Sequence, residues 1–253
     1  MRQVAIITGA SAGIGRATAV ILARNDFDVI ITGRRFEKLE SLEEEIRSKT
    51  DADVLSLAFD IRDQKAVKKA CDQLSGKWEK VDVLVNNAGL AAGLSHIHEG
   101  SLEDWEQMID TNIKGLLYIT RIIAPGMVER QKGHIINIGS IAGKEAYEKG
   151  NVYNATKFGV DGLTQGMRID LVDHGIKVTS IDPGAVETEF SLVRFKWDSE
   201  KADQVYEGFT PLYAEDIAEA ILFAVSRPPH VNIDDLVIMP TAQGRSRKFN
   251  RTN

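Results

Sequence analysis

The sequence predicts one α/β domain built on a doubly wound parallel sheet of about seven strands, with helices on both faces. Three observations carry this expectation. Short apolar runs alternate with amphipathic helical stretches along the chain. The first run leads straight into a glycine-rich turn and then a helix. At 253 residues the chain can bury one large core, and it shows no repeat, low-complexity run or linker.

Gln3–Thr8 is the first apolar run and reads as a buried strand, and Gly13–Arg24 follows as a helix. Between them runs Thr8-Gly9-Ala10-Ser11-Ala12-Gly13-Ile14-Gly15. Gly9 permits the tight turn and Gly13 lets backbone approach a pyrophosphate. The helix start offers unpaired N–H groups and a positive dipole end. Asp28–Gly33 is the second strand and ends in Arg34-Arg35. An acid at that point would bind a ribose 2′-hydroxyl and select NAD, whereas an arginine accommodates a 2′-phosphate and selects NADP. Arg34 is the first choice for this role and Arg35 the second, with Glu37 the nearest acid.

Phe36–Lys49 sets Phe36, Leu39, Leu42 and Ile46 on one helical face. Asp53–Ala58 reads as the third strand, followed by Asp60-Ile61, with Asp60 placed to cap a helix over Asp63–Gly76. Cys71 in that helix reads as a small buried hydrophobe. Val81–Val85 is the fourth strand and ends in Asn86-Asn87-Ala88-Gly89. Asparagine amides there can hold neighbouring loops, and small Ala88 and Gly89 leave room for a cofactor. His96 and His98 lack a third ligand and read as surface residues, so no metal is expected. Ser101 caps a helix running to about Glu129, which Pro125 is expected to kink or break. Asn112 stands on its apolar stripe and needs partners if buried.

His134–Gly139 is the fifth strand, and Ser140 follows at the carboxyl end, where parallel sheets place ligands. The loop 141–150 carries Lys144, Glu145, Tyr147, Glu148 and Lys149, unusually charged for a substrate wall. Tyr153 and Lys157 then fall four apart, on one face of a helix reaching about His174. A free phenol, with a pKa of about 10, is a poor base at neutral pH, and a nearby ammonium lowers that value. Gly159, Gly162 and Gly166 recur at helical spacing, which close approach of another helix would explain. Ile176–Ile181 is the sixth strand, with a Pro183-Gly184 turn after it. Residues 189–210 read as a substrate lid, Tyr213–Ser226 as a helix, Leu236–Met239 as the last strand, and 245–253 as a flexible tail.

The glycine loop, the Asn86–Gly89 tetrad, and Ser140 thirteen residues before Tyr153-Asn154-Ala155-Thr156-Lys157 together resemble the short-chain dehydrogenase/reductase family. The resemblance spans nearly the whole chain and implies a Rossmann-like fold and NADP-dependent interconversion of alcohols and carbonyls. It implies Tyr153 as acid/base, Ser140 on the substrate oxygen, and Lys157 tuning Tyr153 and holding the nicotinamide ribose. Asn112 would complete a proton relay through its carbonyl and a water. For the cofactor it implies Gly9, Ser11, Gly13, Ile14, Gly15, Asp60 at the adenine, Ile61, Asn87, Ala88 and Gly89. Pro183, Gly184, Val186 and Thr188 would lie at the nicotinamide carboxamide. The family's habit of pairing the Tyr153 helix across subunits implies a homotetramer. Residues 105–112 and 186–196 resemble a narrower group, the NADP-dependent 3-hydroxy acid dehydrogenases acting on serine, allo-threonine and short semialdehydes. A short acid needs a cation, for which Arg194 is the candidate. The rival expectations are a reductase of acyl-carrier or bulky carbonyl substrates and a non-catalytic NADP sensor.

Bulk composition agrees with a soluble enzyme of small molecules: 43% hydrophobic and 27% charged residues, with a net charge of −6 that offers no footprint for nucleic acid or anionic membrane. No apolar stretch is long enough for a bilayer, no secretion signal precedes Gln3, and one cysteine excludes an internal disulfide, so a cytoplasmic protein is expected.

Overall fold

β1 (Gln3–Ile7) sits at the centre of the computed structural model, which describes residues 2–252, and its side chains explain the layering. Successive residues of a strand face opposite ways. Ala5 and Ile7 point into one core, with Leu22 of α1 (Gly13–Arg24), Leu39 and Leu42 of α2 (Phe36–Lys49), and Ile217 and Ile221 of α9 (Ala214–Val225). Val4 and Ile6 point into the other, with Val67 of α3 (Gln64–Cys71) and Ile119, Ile123 and Met127 of α5 (Leu116–Arg130). Both faces of the sheet are therefore covered, which is why its strands read as continuous apolar runs.

The remaining strands are β2 (Phe27–Gly33), β3 (Val54–Ala58), β4 (Val81–Asn86), β5 (Gly133–Ile138), β6 (Ile176–Pro183) and β7 (Asp235–Ile238). The seven strands are all parallel, in the order β3-β2-β1-β4-β5-β6-β7, as expected from the sequence. The order reverses between β1 and β4, which opens a crevice above the carboxyl ends of those strands. Among the described residues no helix is long and apolar enough to cross a membrane. Met1 and Asn253, the ends of the expected domain 1–253, lie outside the described residues.

Three expectations need correction. Pro125, expected to kink or break its helix, does not break it, because α5 runs through it to Arg130; a further irregularity lies earlier, where a π-helical segment at Asp110–Gly115 separates α4 (Leu102–Ile109) from α5. A π turn widens the helix locally, and here it does so around buried Asn112. The helix expected over Asp63–Gly76 stops at Cys71, and its cap is Asp63, not Asp60: Asp63 accepts from the Lys65 and Ala66 amides, while Asp60 turns to Arg62 at 2.7 Å. Residues 189–210, expected as a substrate lid, carry two short helices, α7 (Glu189–Arg194) and α8 (Ser199–Gln204). The expected flexible tail forms a hairpin from β8 (Gln243–Arg245) and β9 (Lys248–Phe249). Its backbone is tied down by Asn250 N–H to Ala242 O and Thr252 N–H to Gly208 O, at 2.8 and 2.7 Å.

Candidate active site

The crevice is a cleft of about 510 Å³ that spans the glycine loop, the ends of β2, β4 and β5, the loop after β6, helices α7 and α8 and the C-terminal hairpin. All the residues expected to act here line it except Gly15 and Asn112.

At its nucleotide end, Gly9 and Gly13 hold positive φ angles of 67° and 51°, which glycine adopts without strain. α1 starts at Ala12 without a side-chain cap and without an acid in its first turn, so its N–H groups face the cleft unopposed. Gly15 lies behind the loop, where any side chain would collide with Asn87 Nδ2. The asparagine pair explains the local order. Asn87 Nδ2 donates to Thr8 O at 2.8 Å, and Thr8 Oγ1 accepts from the Asn87 and Ala88 amides at 3.0 and 2.9 Å, binding the β4 end to the glycine loop. Asn86 instead turns inward, donating to Asn137 and Thr120.

At the end of β2, Arg34 is exposed at the cleft edge, while Arg35 is engaged. Arg35 pairs with Glu189 of the lid at 2.8 Å and donates to Ser11 Oγ at 3.1 Å. Asp60 and Ile61 close this end. An uncapped helix start beside two arginines fits a dinucleotide carrying a 2′-phosphate. Across the cleft, Gly184 N–H is anchored to Ile238 O at 2.7 Å, Val186 pairs with Leu212, and Thr188 caps α7 through Phe190 N.

Ser140 stands two residues past β5. Its N–H donates to buried Asp182 Oδ1 at 2.9 Å, and its Oγ accepts from Ala142 N–H at 3.1 Å. Tyr153 and Lys157, in the first two turns of α6 (Asn151–Leu171), are buried, and Lys157 Nζ donates to Ile138 O at 2.8 Å. The ammonium lies 5.9 Å from the Tyr153 ring centre. Burial is the largest influence on both groups, and it disfavours the charge of each. It pushes the Tyr153 phenol well above its ordinary pKa, helped by Tyr147, with Ser140 and Arg194 pulling the other way. It brings Lys157 down to about 8, against the attraction of Asp182. Lys157, expected to lower the Tyr153 pKa, is not among the charges that act on the phenol in this geometry.

Asn112 makes its contacts with its side chain. Its Oδ1 accepts from Leu90 N–H at 2.9 Å, and its Nδ2 donates to Leu90 O and Thr156 Oγ1 at 2.8 and 3.0 Å. It therefore ties the loop after β4 to the catalytic helix. Arg194 reaches over the site from α7: its guanidinium lies 5.6 Å from the Tyr153 ring and 5.5 Å from the Tyr147 ring. Nε donates to Gly93 O at 3.3 Å, and Nη2 is buried without a hydrogen-bond partner among the described residues. A buried, unpaired guanidinium nitrogen is unfavourable unless an acceptor is brought to it.

Sequence reasoning missed two supporting groups. Lys144 does not form a charged substrate wall, because its ammonium bonds to Asp161 and Asp235 and lies 3.5 Å from Asp182, beneath Ser140. Tyr147, read only as one residue of that charged loop, lines the cleft with its aromatic ring.

The chain matches the family model of short chain dehydrogenases over residues 3–199. It is 48% identical over 242 residues to the NADP-dependent 3-hydroxy acid dehydrogenase of Salmonella typhi, covering 95% of this chain and 96% of that one. The enzyme of the same name from Schizosaccharomyces pombe is 42% identical over 240 residues, with 94% and 93% covered. The solved closed form of a serine dehydrogenase complexed with NADP+ superposes with a TM-score of 0.93 at 43% identity, over 99% of this chain and 100% of that one.

Proposed function

The chain belongs to the short-chain dehydrogenase family, and from that premise we propose that it is an NADP-dependent oxidoreductase of short 3-hydroxy acids and the matching semialdehydes. The observation that carries this reading is the meeting of Ser140, Tyr153 and Lys157 under the unpaired Arg194 nitrogen at one end of a dinucleotide-shaped cleft. The glycine loop would hold the pyrophosphate of NADP, Arg34 and Arg35 would hold its 2′-phosphate, and the bound cofactor would supply the hydride chemistry.

The chain's own residues handle the proton and the oxygen. Tyr153 Oη takes the hydroxyl proton during oxidation and returns it during reduction. Ser140 Oγ donates to the substrate oxygen as charge grows there, held in place by Asp182 through its own N–H. Lys157 supplies positive charge beside Tyr153, and Asn112 fixes the helix that carries both and closes the proton path through its carbonyl. Arg194 takes the substrate carboxylate, and residues 189–210 form the lid.

A homotetramer belongs to the same reading. A side chain at Gly159 would meet Ile113 at 3.0 Å within the subunit, but Gly162 and Gly166 face open space. On the same helix Phe158 and Ile169 are 45% and 74% exposed, an apolar surface suited to a second copy. Work in the cytoplasm is supported by the single cysteine, Cys71, buried with its thiol pushed up to about 11 by desolvation.

Tyr153→Phe tests the assignment. Loss of a general acid/base should lower kcat by about 10²–10⁴, while NADPH affinity, read by fluorescence titration, stays within about twofold. Turnover close to that of the parent protein would remove Tyr153 from the chemistry.

A further inference from the structure

The C-terminal hairpin carries a guanidinium over the same end of the cleft as Arg194. Its turn residues Ser246 and Arg247 line the cleft, as does Phe249. The hairpin is pinned from three sides. Gln243 Oε1 accepts from Ala185 N–H at 2.8 Å, beside the loop after β6. Glu145 accepts from Ser246 N–H and, at 3.2 Å, from Arg245, which gives this acid of the charged loop a structural purpose. Phe249 packs on Phe209 at 4.7 Å, and Arg251 donates to Val205 O at 3.0 Å, tying the hairpin to the end of the lid.

Arg247 itself takes no part in that anchoring. Its guanidinium lies 4.6 Å from the Tyr147 ring centre, and it makes no hydrogen bond or ion pair among the described residues. Arg194 sits over the same ring. Among the described residues the only carboxylates lining the cleft are Asp60 and Glu189, and each is already paired at the nucleotide end, with Arg62 and Arg35. Glu148 lies near the Tyr147 loop, but its side chain is 77% exposed and faces His96. Two guanidiniums thus share one aromatic ring beside Tyr153 without a counter-ion in the cleft among the described residues. Arg247 is held below its ordinary pKa, first by partial burial and also by the like charge of Arg194. Such a pair is relieved by an anion bound between or across it.

We propose that Arg247 is a second carboxylate-binding residue, so that Arg194 from the lid and Arg247 from the C-terminal hairpin together select acids over neutral alcohols and carbonyls. This rests on the reading of the site as a hydroxy acid dehydrogenase. It makes the hairpin a specificity element that must be docked for acids to be recognised. Because Arg247 meets the acid group and not the reacting carbon, its contribution is the same in ground and transition states and appears in KM.

The test compares 3-hydroxypropionate with its methyl ester, using NADP as oxidant, for the parent protein, Arg247→Gln, Arg247→Lys and Arg194→Ala. Arg247→Gln should raise KM for the acid by about tenfold or more, leave kcat within about twofold, and leave the ester and the KM for NADP unchanged. Arg247→Lys should fall between. Equal losses on acid and ester, or no change on either, would overturn the proposal, and thermal melts of each variant show whether a loss comes from unfolding. A parent protein that oxidises the ester and not the acid would overturn the hydroxy acid reading itself, and Arg247 with it. Loss of acid selectivity in Arg194→Ala alone would leave the hydroxy acid reading standing and assign recognition to one guanidinium.

Discussion

Arg34→Ala is the sharpest perturbation of cofactor choice, because the two arginines after β2 are in different states. Arg34 is exposed with its charge free for a 2′-phosphate, while Arg35 already bonds Glu189 at 2.8 Å and Ser11 Oγ at 3.1 Å. A charge-assisted hydrogen bond is worth about 1.5–3 kcal/mol, or roughly 10- to 150-fold in affinity. The full loss falls on Arg34. Arg35 has to leave an ion pair whose partners are 39% and 36% exposed, and such pairs contribute about 0.2–1 kcal/mol. Its net effect is smaller by that amount, up to about fivefold. Steady-state rates at saturating hydroxy acid, with NADP and NAD varied in turn, should therefore show KM for NADP rising more in Arg34→Ala than in Arg35→Ala, with NAD almost unaffected by the first. Glu189→Gln should lower KM for NADP by no more than about fivefold, because it removes the competitor. Equal changes with NAD and NADP in Arg34→Ala would refute the phosphate argument.

Two further outcomes follow from the same structure. Burial pushes Asp182 up to about 7, with neighbouring Asp235 adding to the shift and Lys144 opposing it. A carboxyl raised above its unfolded value favours the folded state most below about pH 4, and that contribution is lost as pH rises through 7. Asp235 does not disturb this window: burial, which would raise it, is outweighed by its hydrogen bonds to Asp182 and Lys144, so it titrates lower. The parent protein should lose stability between pH 6 and 8, and Asp182→Asn should flatten that slope while its amide oxygen still accepts from Ser140 N–H; parallel urea midpoints at the two pH values would contradict this. Ile169→Glu, on the exposed face of α6, should shift the assembly toward monomers in sedimentation, and an unchanged mass would exclude that face as the subunit contact.

What could be read in the sequence was what nearby residues determine together. The glycine loop follows its strand within a few residues, and Tyr153 and Lys157 share a helix face by spacing alone, so their placement needed no tertiary information. Ser140 was legible because strand ends in a parallel sheet point to one side. Long-range pairing was not legible. Lys144 reads as part of a charged substrate wall until Asp161, Asp182 and Asp235 converge on it from α6, β6 and β7. The pair between Arg35 and Glu189 joins residues 154 apart. The tail looked disordered because its composition is polar and basic, yet Glu145 and Phe209 supply partners that composition cannot reveal. The burial of Tyr153 was not legible for a similar reason, since Tyr147, Phe190 and Val193 pack around it from outside the Tyr-x-x-x-Lys pattern.

The most direct measurement of the central claim is the initial rate of nicotinamide reduction with 3-hydroxypropionate, L-serine and L-allo-threonine, each with NADP and with NAD. The account predicts turnover on these acids with a strong preference for NADP. Comparable or faster turnover with NAD would contradict the role of Arg34 and Arg35, and absence of turnover on all three acids, with activity on neutral carbonyls and NADPH, would contradict the assignment of Arg194 and its substrate class.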